Sequence, residues 1–157
     1  MPNTKAVGVA YADPEFESVT VSGAVTVSGA VTVSGAVTAT SIAASNDLGY
    51  TAAAQGTVTQ LTSKSTAVTL NKPAGVITMN NASLATATNA TFTLNNSLIS
   101  ANDTVILTIA GGQATPGSYN VFANSLSAGS VSITLRNISG GSLSEAIVIN
   151  FALIHCA

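Results

Sequence analysis

Hydrophobic and polar residues alternate along most of this chain, and no stretch sustains a helical period. The cleanest alternation lies in residues 19–38. Val19, Val21, Gly23, Val25, Val27, Gly29, Val31, Val33, Gly35 and Val37 fall on one face. Thr, Ser and Ala occupy every intervening position. A period of two is the signature of an extended strand with one apolar face. Val and Thr suit it because β-branched side chains fit a pleated surface. The alternation is itself periodic: VSGAVT occurs at 21–26, 27–32 and 33–38. A glycine at every sixth position allows a bend or a close backbone approach.

A second alternating region spans residues 56–157. Strand candidates are 57–61, 67–70, 76–79, 91–94, 104–109, 119–123, 131–136 and 146–154. The clearest sets Val131, Ile133 and Leu135 against Ser130, Ser132, Thr134 and Arg136. Lys72-Pro73-Ala74-Gly75, Gly111-Gly112, Pro116-Gly117 and Gly140-Gly141 read as turns. Eight short strands at this spacing predict an all-β, antiparallel β-sandwich of jelly-roll-like form. Four regions follow: an extended arm (1–18), a β-repeat stalk (19–40), a linker (41–55) and the sandwich (56–157). In the linker, Ala-rich pieces allow a turn of helix that Asn46-Asp47 and Gly49 interrupt.

Composition narrows the function. Of 157 residues, 6% are charged and 40 are Ser or Thr, which suits packing in a crowded assembly. Lys5, Lys64, Lys72 and Arg136 are scattered, which argues against nucleic acid as a partner and against a polybasic membrane patch. The longest apolar tract, 146–154, is broken by Asn150 and is too short to span a membrane as a helix. No signal peptide is expected, since the segment before the faint Ala10-Tyr11-Ala12 cleavage pattern has one Lys and is too short. Aromatic residues are 4% and the apolar content is mainly Ala and Val, which predicts a core built from small side chains.

Catalytic chemistry finds little to work with. His155 is the only histidine and Cys156 the only cysteine. Adjacent residues on an extended chain point to opposite sides, so the pair does not form a metal site, and no metal or other cofactor is expected. No G-x-S-x-G elbow or phosphate-binding glycine loop occurs. Asp13, Glu15 and Glu17 read as a solvated acidic stretch or a charge match to a partner. The expectation is a protein that is not an enzyme.

Association follows from the stripe. Burying its valines does not offset the entropy of ordering the segment alone, so it needs partners for side chains and backbone. Three chains around an axis, with Val21, Val25, Val27, Val31, Val33 and Val37 inward, would supply one another as a homotrimer. A hairpin arm lying on another protein is the alternative. In the arm, Val7, Val9, Tyr11 and Phe16 are apolar residues that a free tail has no use for.

KAVGVAYADPEFE (5–17), GTVTQLTSKSTAVTLNKPAGVITMNNASL (56–84) and SLSEAIVINFALI (142–154) resemble the head decoration, or cement, proteins of tailed bacteriophages. The resemblance implies a trimeric β-sandwich on the outer surface of the capsid, bridging major capsid proteins and stabilising the virion. It implies capsid binding through Val7, Val9, Tyr11, Asp13, Glu15, Phe16 and Glu17. The VSGAVT array departs from the part that can be matched. The alternative is a phage fibre or tip module that binds a host receptor or glycan, which would expose aromatic platforms for sugar stacking.

Overall fold

A computed structural model describes residues 19–156. It divides into two units, with the break between Ala43 and Ala44. In the second unit each strand candidate becomes a strand: β1 (Gln55–Thr59), β2 (Val68–Thr69), β3 (Ala74–Thr78), β4 (Asn89–Asn95), β5 (Thr104–Gly111), β6 (Tyr119–Ser127), β7 (Ser130–Asn137) and β8 (Val148–Ile154). The Ala-rich piece before them makes one 3-10 turn, Ala52–Ala54.

The strands form two four-stranded sheets, ordered β1-β3-β8-β5 and β2-β4-β7-β6, which pack as a sandwich. The expected antiparallel arrangement is corrected in two places. β1 pairs with β3 in parallel, and β2 pairs with β4 in parallel. The reason lies in the connections. The chain changes sheet at every step from β1 to β6, so β1 and β3 are joined by a crossover through the other sheet, which returns a strand in parallel. Alternation of side chains tells which face is buried and carries no information about strand direction.

The core lies between the sheets. Ile77, Ile149, Phe151 and Leu153 come from one inner face, and Phe92, Leu94, Val131, Ile133 and Leu135 from the other. Met79 and Ile147, just outside the strands, are also fully buried. Each such side chain contributes roughly 1.5–3 kcal/mol by leaving water. The expectation of a core of small residues is therefore corrected. Ile, Leu, Phe and Met dominate it, because the Val and Ala that set the composition are concentrated in the repeat and the connecting segments.

Two glycines shape the first sheet. Gly56 and Gly75 are paired across β1 and β3. A Cβ on Gly75 would stand 2.6 Å from the Gly56 carbonyl oxygen and 2.8 Å from the Leu70 side chain, so the pair leaves the hollow that Leu70 fills. Gly75 thus serves packing inside β3 and not the turn expected at 72–75. The turn at Pro116-Gly117 does form, with Gly117 at φ +81° and Ser118 N–H donating to Thr115 O.

The first unit is different. Residues 19–43 form no strand and every residue is exposed. The chain bends at Ser22-Gly23, Ser28-Gly29 and Ser34-Gly35, once per hexad. Val19, Val25 and Val31 are 67%, 66% and 67% exposed, whereas Val21, Val27 and Val33 are 53%, 53% and 52% exposed. Equal exposure at equal hexad positions means that one backbone conformation recurs. The alternation expected to give a strand gives, in a single chain, a segment that bends at its Ser-Gly steps and pairs with no strand among the described residues.

Candidate functional site

The capsid-binding candidates Val7, Val9, Tyr11, Asp13, Glu15, Phe16 and Glu17 lie outside the described residues. The interface candidates Val21, Val25, Val27, Val31, Val33 and Val37 are all exposed, each by more than half of its surface. Apolar side chains and peptide groups in no strand pairing among the described residues are thus presented together along the repeat, a template for another chain.

A second apolar surface lies on the outer face of the β1-β3-β8-β5 sheet. Side chains alternate strictly there. Ala74, Ala152 and Ile106 form one row across β3, β8 and β5, and Ile154 stands beside them next to Thr104. Ile106 and Ile154 are about half exposed, at 46% and 50%. The chain arriving from residue 44 meets the sheet here. Tyr50 Oη donates to the Leu153 carbonyl, and Gln55 Nε2 donates to the Tyr50 carbonyl at 3.1 Å. Leu48, Gly49 and Tyr50 with Ala152, Ile154 and His155 wall a shallow concavity of about 440 Å³. The linker at 41–55 thus carries a rim, Leu48 and Tyr50, that no pattern in the sequence marks.

The outer face of the other sheet is polar. Thr91 and Thr134, side by side on β4 and β7, share a hydrogen bond of 2.7 Å. Phe122 of β6 pairs with Thr134 and is the one partly exposed aromatic on that face.

Polar groups inside the sandwich tie its loops. Lys64 is almost wholly buried, and its Nζ donates to the carbonyls of Asn80 and Glu145, each at 2.5 Å. Burial holds the Lys64 ammonium below its usual range, and the Glu145 carboxylate partly offsets this. Gln60 completes the clamp: its Nε2 donates to Thr66 O at 2.8 Å and its Oε1 accepts from Asn80 N–H at 3.2 Å. Glu145 also sits near the Tyr119 hydroxyl without closing a well-aligned hydrogen bond. Burial, and then this neighbouring carboxylate, push the Tyr119 phenol up to about 12. Lys64 and Gln60 are buried while Asn80 and Glu145 are half-buried, and the cluster reads as a structural tie between loops. In the sequence Lys64 is one of four scattered cations, and no periodic signal distinguishes it.

At the opposite end of the chain, Asp103 accepts from Ser100 N–H at 2.8 Å and pairs with His155 Nδ1 at 2.9 Å. The Ser100 N–H chiefly holds the Asp103 carboxyl below the usual carboxylate range, with Cys156 N–H and His155 adding to it. Asp103 therefore anchors the C-terminal residues to the turn before β5. Cys156 is exposed, and its Sγ lies 3.9 Å from Thr104 Oγ1. No group of three His, Cys, Asp or Glu side chains stands close enough to hold a metal among the described residues. No helix among the described residues is long and apolar enough to cross a membrane.

No family model matches the chain, and neither a curated protein nor a solved structure matches it.

Proposed function

We propose that this protein is a non-enzymatic structural component of a bacteriophage virion, a decoration protein on the outer surface of the capsid. On this reading the chain is a homotrimer that bridges major capsid proteins and stabilises the shell. The observation that carries it is the exposed valine repeat. In a chain with few charges, the repeat exposes regularly spaced valines and forms no strand pairing among the described residues. Identical copies, meeting the same need in one another, are the economical partner. The extended stretches that resemble phage decoration proteins support the setting. The jelly-roll-like form belongs to this reading, supported in one respect: successive strands from β1 to β6 alternate between the two four-stranded sheets.

The mechanism is mechanical. A shell under internal pressure fails where its subunits separate, and a trimer bound across the junctions adds contact area that must break first. Binding to the assembled shell and not to its parts stabilises the shell by mass action. Three arms per trimer convert modest contacts into avidity. Val7, Val9, Tyr11 and Phe16 would pack on the capsid protein, with Asp13, Glu15 and Glu17 matching basic groups there.

The test is co-sedimentation with empty phage heads. Intact protein is expected to saturate them, and a chain lacking residues 1–18 to stay in solution while retaining its β circular dichroism. Full occupancy by the shortened chain would remove the arm from the mechanism. The receptor-binding alternative rests on Phe122, a partly exposed ring on a polar sheet. A single ring is a small platform for a sugar, and a glycan array read with the intact protein separates the two.

A further inference from the structure

The apolar end of the β1-β3-β8-β5 sheet has no role in the sandwich itself. Its inner side already builds the core, yet Ile106 and Ile154 project outward beside the small Ala74 and Ala152. Leu48, 82% exposed, and Tyr50 extend the same surface. We propose that this patch is where the sandwiches of neighbouring copies of this chain pack on one another, an inference that rests on self-association of the valine repeat.

Charge gives the first argument for a second copy as occupant. The outward positions of all four strands are Thr, Ala, Val, Ile, Asn and Gln, with no charged residue among them. A partner of different chemistry is commonly steered by complementary charge. A neutral face offers no such steering and does not repel its own likeness. The pairing of large with small also helps: Ile106 is a knob, and the concavity walled by Leu48, Tyr50, Ala152, Ile154 and His155 is a hole on the same patch.

Chain connectivity gives the second. Seven residues separate Thr40, the end of the repeat, from Leu48 on the rim. Fully extended, the eight steps from Thr40 to Leu48 reach at most about 29 Å. Copies joined through their repeats therefore hold these rims within a short tether of one another. Tethers of this length raise the effective concentration to the millimolar range, where a patch too small to associate unaided is occupied.

The test places a photo-activated benzoylphenylalanine at position 106 of the full chain. Irradiation is expected to give bands of two and three chain masses on a denaturing gel, with the crosslinks mapping to residues 48–50 or 152–154. Ile154→Asp in the same chain is expected to lower the yield at least tenfold. Ile154→Ser, milder for the fold, should lower it in the same direction. A chain that light scattering finds oligomeric, but whose crosslinks stay within one copy, overturns this inference and leaves the repeat-mediated assembly standing. A chain that light scattering finds monomeric at every concentration removes both.

Discussion

The repeat and the sandwich use the same vocabulary, β-branched residues alternating with hydroxyls, and reach opposite ends. In β7, alternation puts Val131, Ile133 and Leu135 beneath a second sheet and leaves them almost wholly buried. In residues 19–38 a more regular alternation leaves every valine in water. The difference lies in what surrounds the pattern. The sandwich strands differ in length and side-chain size and are joined by turns that return the chain on itself. The hexads are identical and follow one another directly, bent at Ser-Gly and never reversed. Alternation makes a face, and connections decide whether the chain can cover it.

Several measurements sharpen or break that contrast. The largest effect is expected from removing residues 19–40. The particle mass should fall to that of one chain while the circular dichroism of the sandwich persists, and an unchanged mass would place the association elsewhere. Next comes a matched pair of truncations. Phe92→Ala should cost about 3–5 kcal/mol in urea unfolding, since the ring fills the core. Val27→Ala should leave that transition in place and raise the concentration at which the particle dissociates. A matched pair of glycines follows. Gly75→Ala drives a Cβ against Gly56 and Leu70 and should cost about 1–3 kcal/mol. Gly29→Ala has nothing within 4 Å to strike and should not shift the unfolding of the sandwich.

The smallest effects are electrostatic and belong to the sandwich alone. Lys64 titrates lower in the folded chain than in the unfolded one. Its ammonium therefore weighs against the fold at neutral pH, and that weight lifts as pH rises towards the ordinary lysine value. The stability of the protein relative to Lys64→Met should improve as pH rises from 7 to 10. Asp103 has the usual carboxylate sign. Its contribution is present above the ordinary carboxylate range and is lost as pH falls through it, so Asp103→Asn should flatten the acid limb.

All eight strands of the sandwich were legible because each carries an apolar row of period two. Pairing direction was not legible, since a parallel neighbour is made by the path between strands and not by the strands. β6 shows a second limit. Its register slips between Ala123 and Ser125, so inward positions change from odd to even and Leu126 falls out of phase with Val121. The pattern ended at residue 123 while the strand ran on to Ser127, and the Gly129 turn that joins it to β7 went unmarked. The valine surface was plain in the sequence as a stripe. The rim at Leu48 and Tyr50 was not, because two isolated apolar residues acquire meaning only from the sheet edge they meet.

The once-per-hexad bend has a consequence for how such a protein can change. Each VSGAVT unit begins and ends in the same backbone state, and six is an even number. Gaining or losing one unit therefore moves everything beyond it by a fixed increment without turning valine to the wrong side. An insertion of five residues would put the valines beyond it out of phase with those before it. The segment is a ruler graduated in hexads, whose length can drift by duplication while its chemistry stays constant.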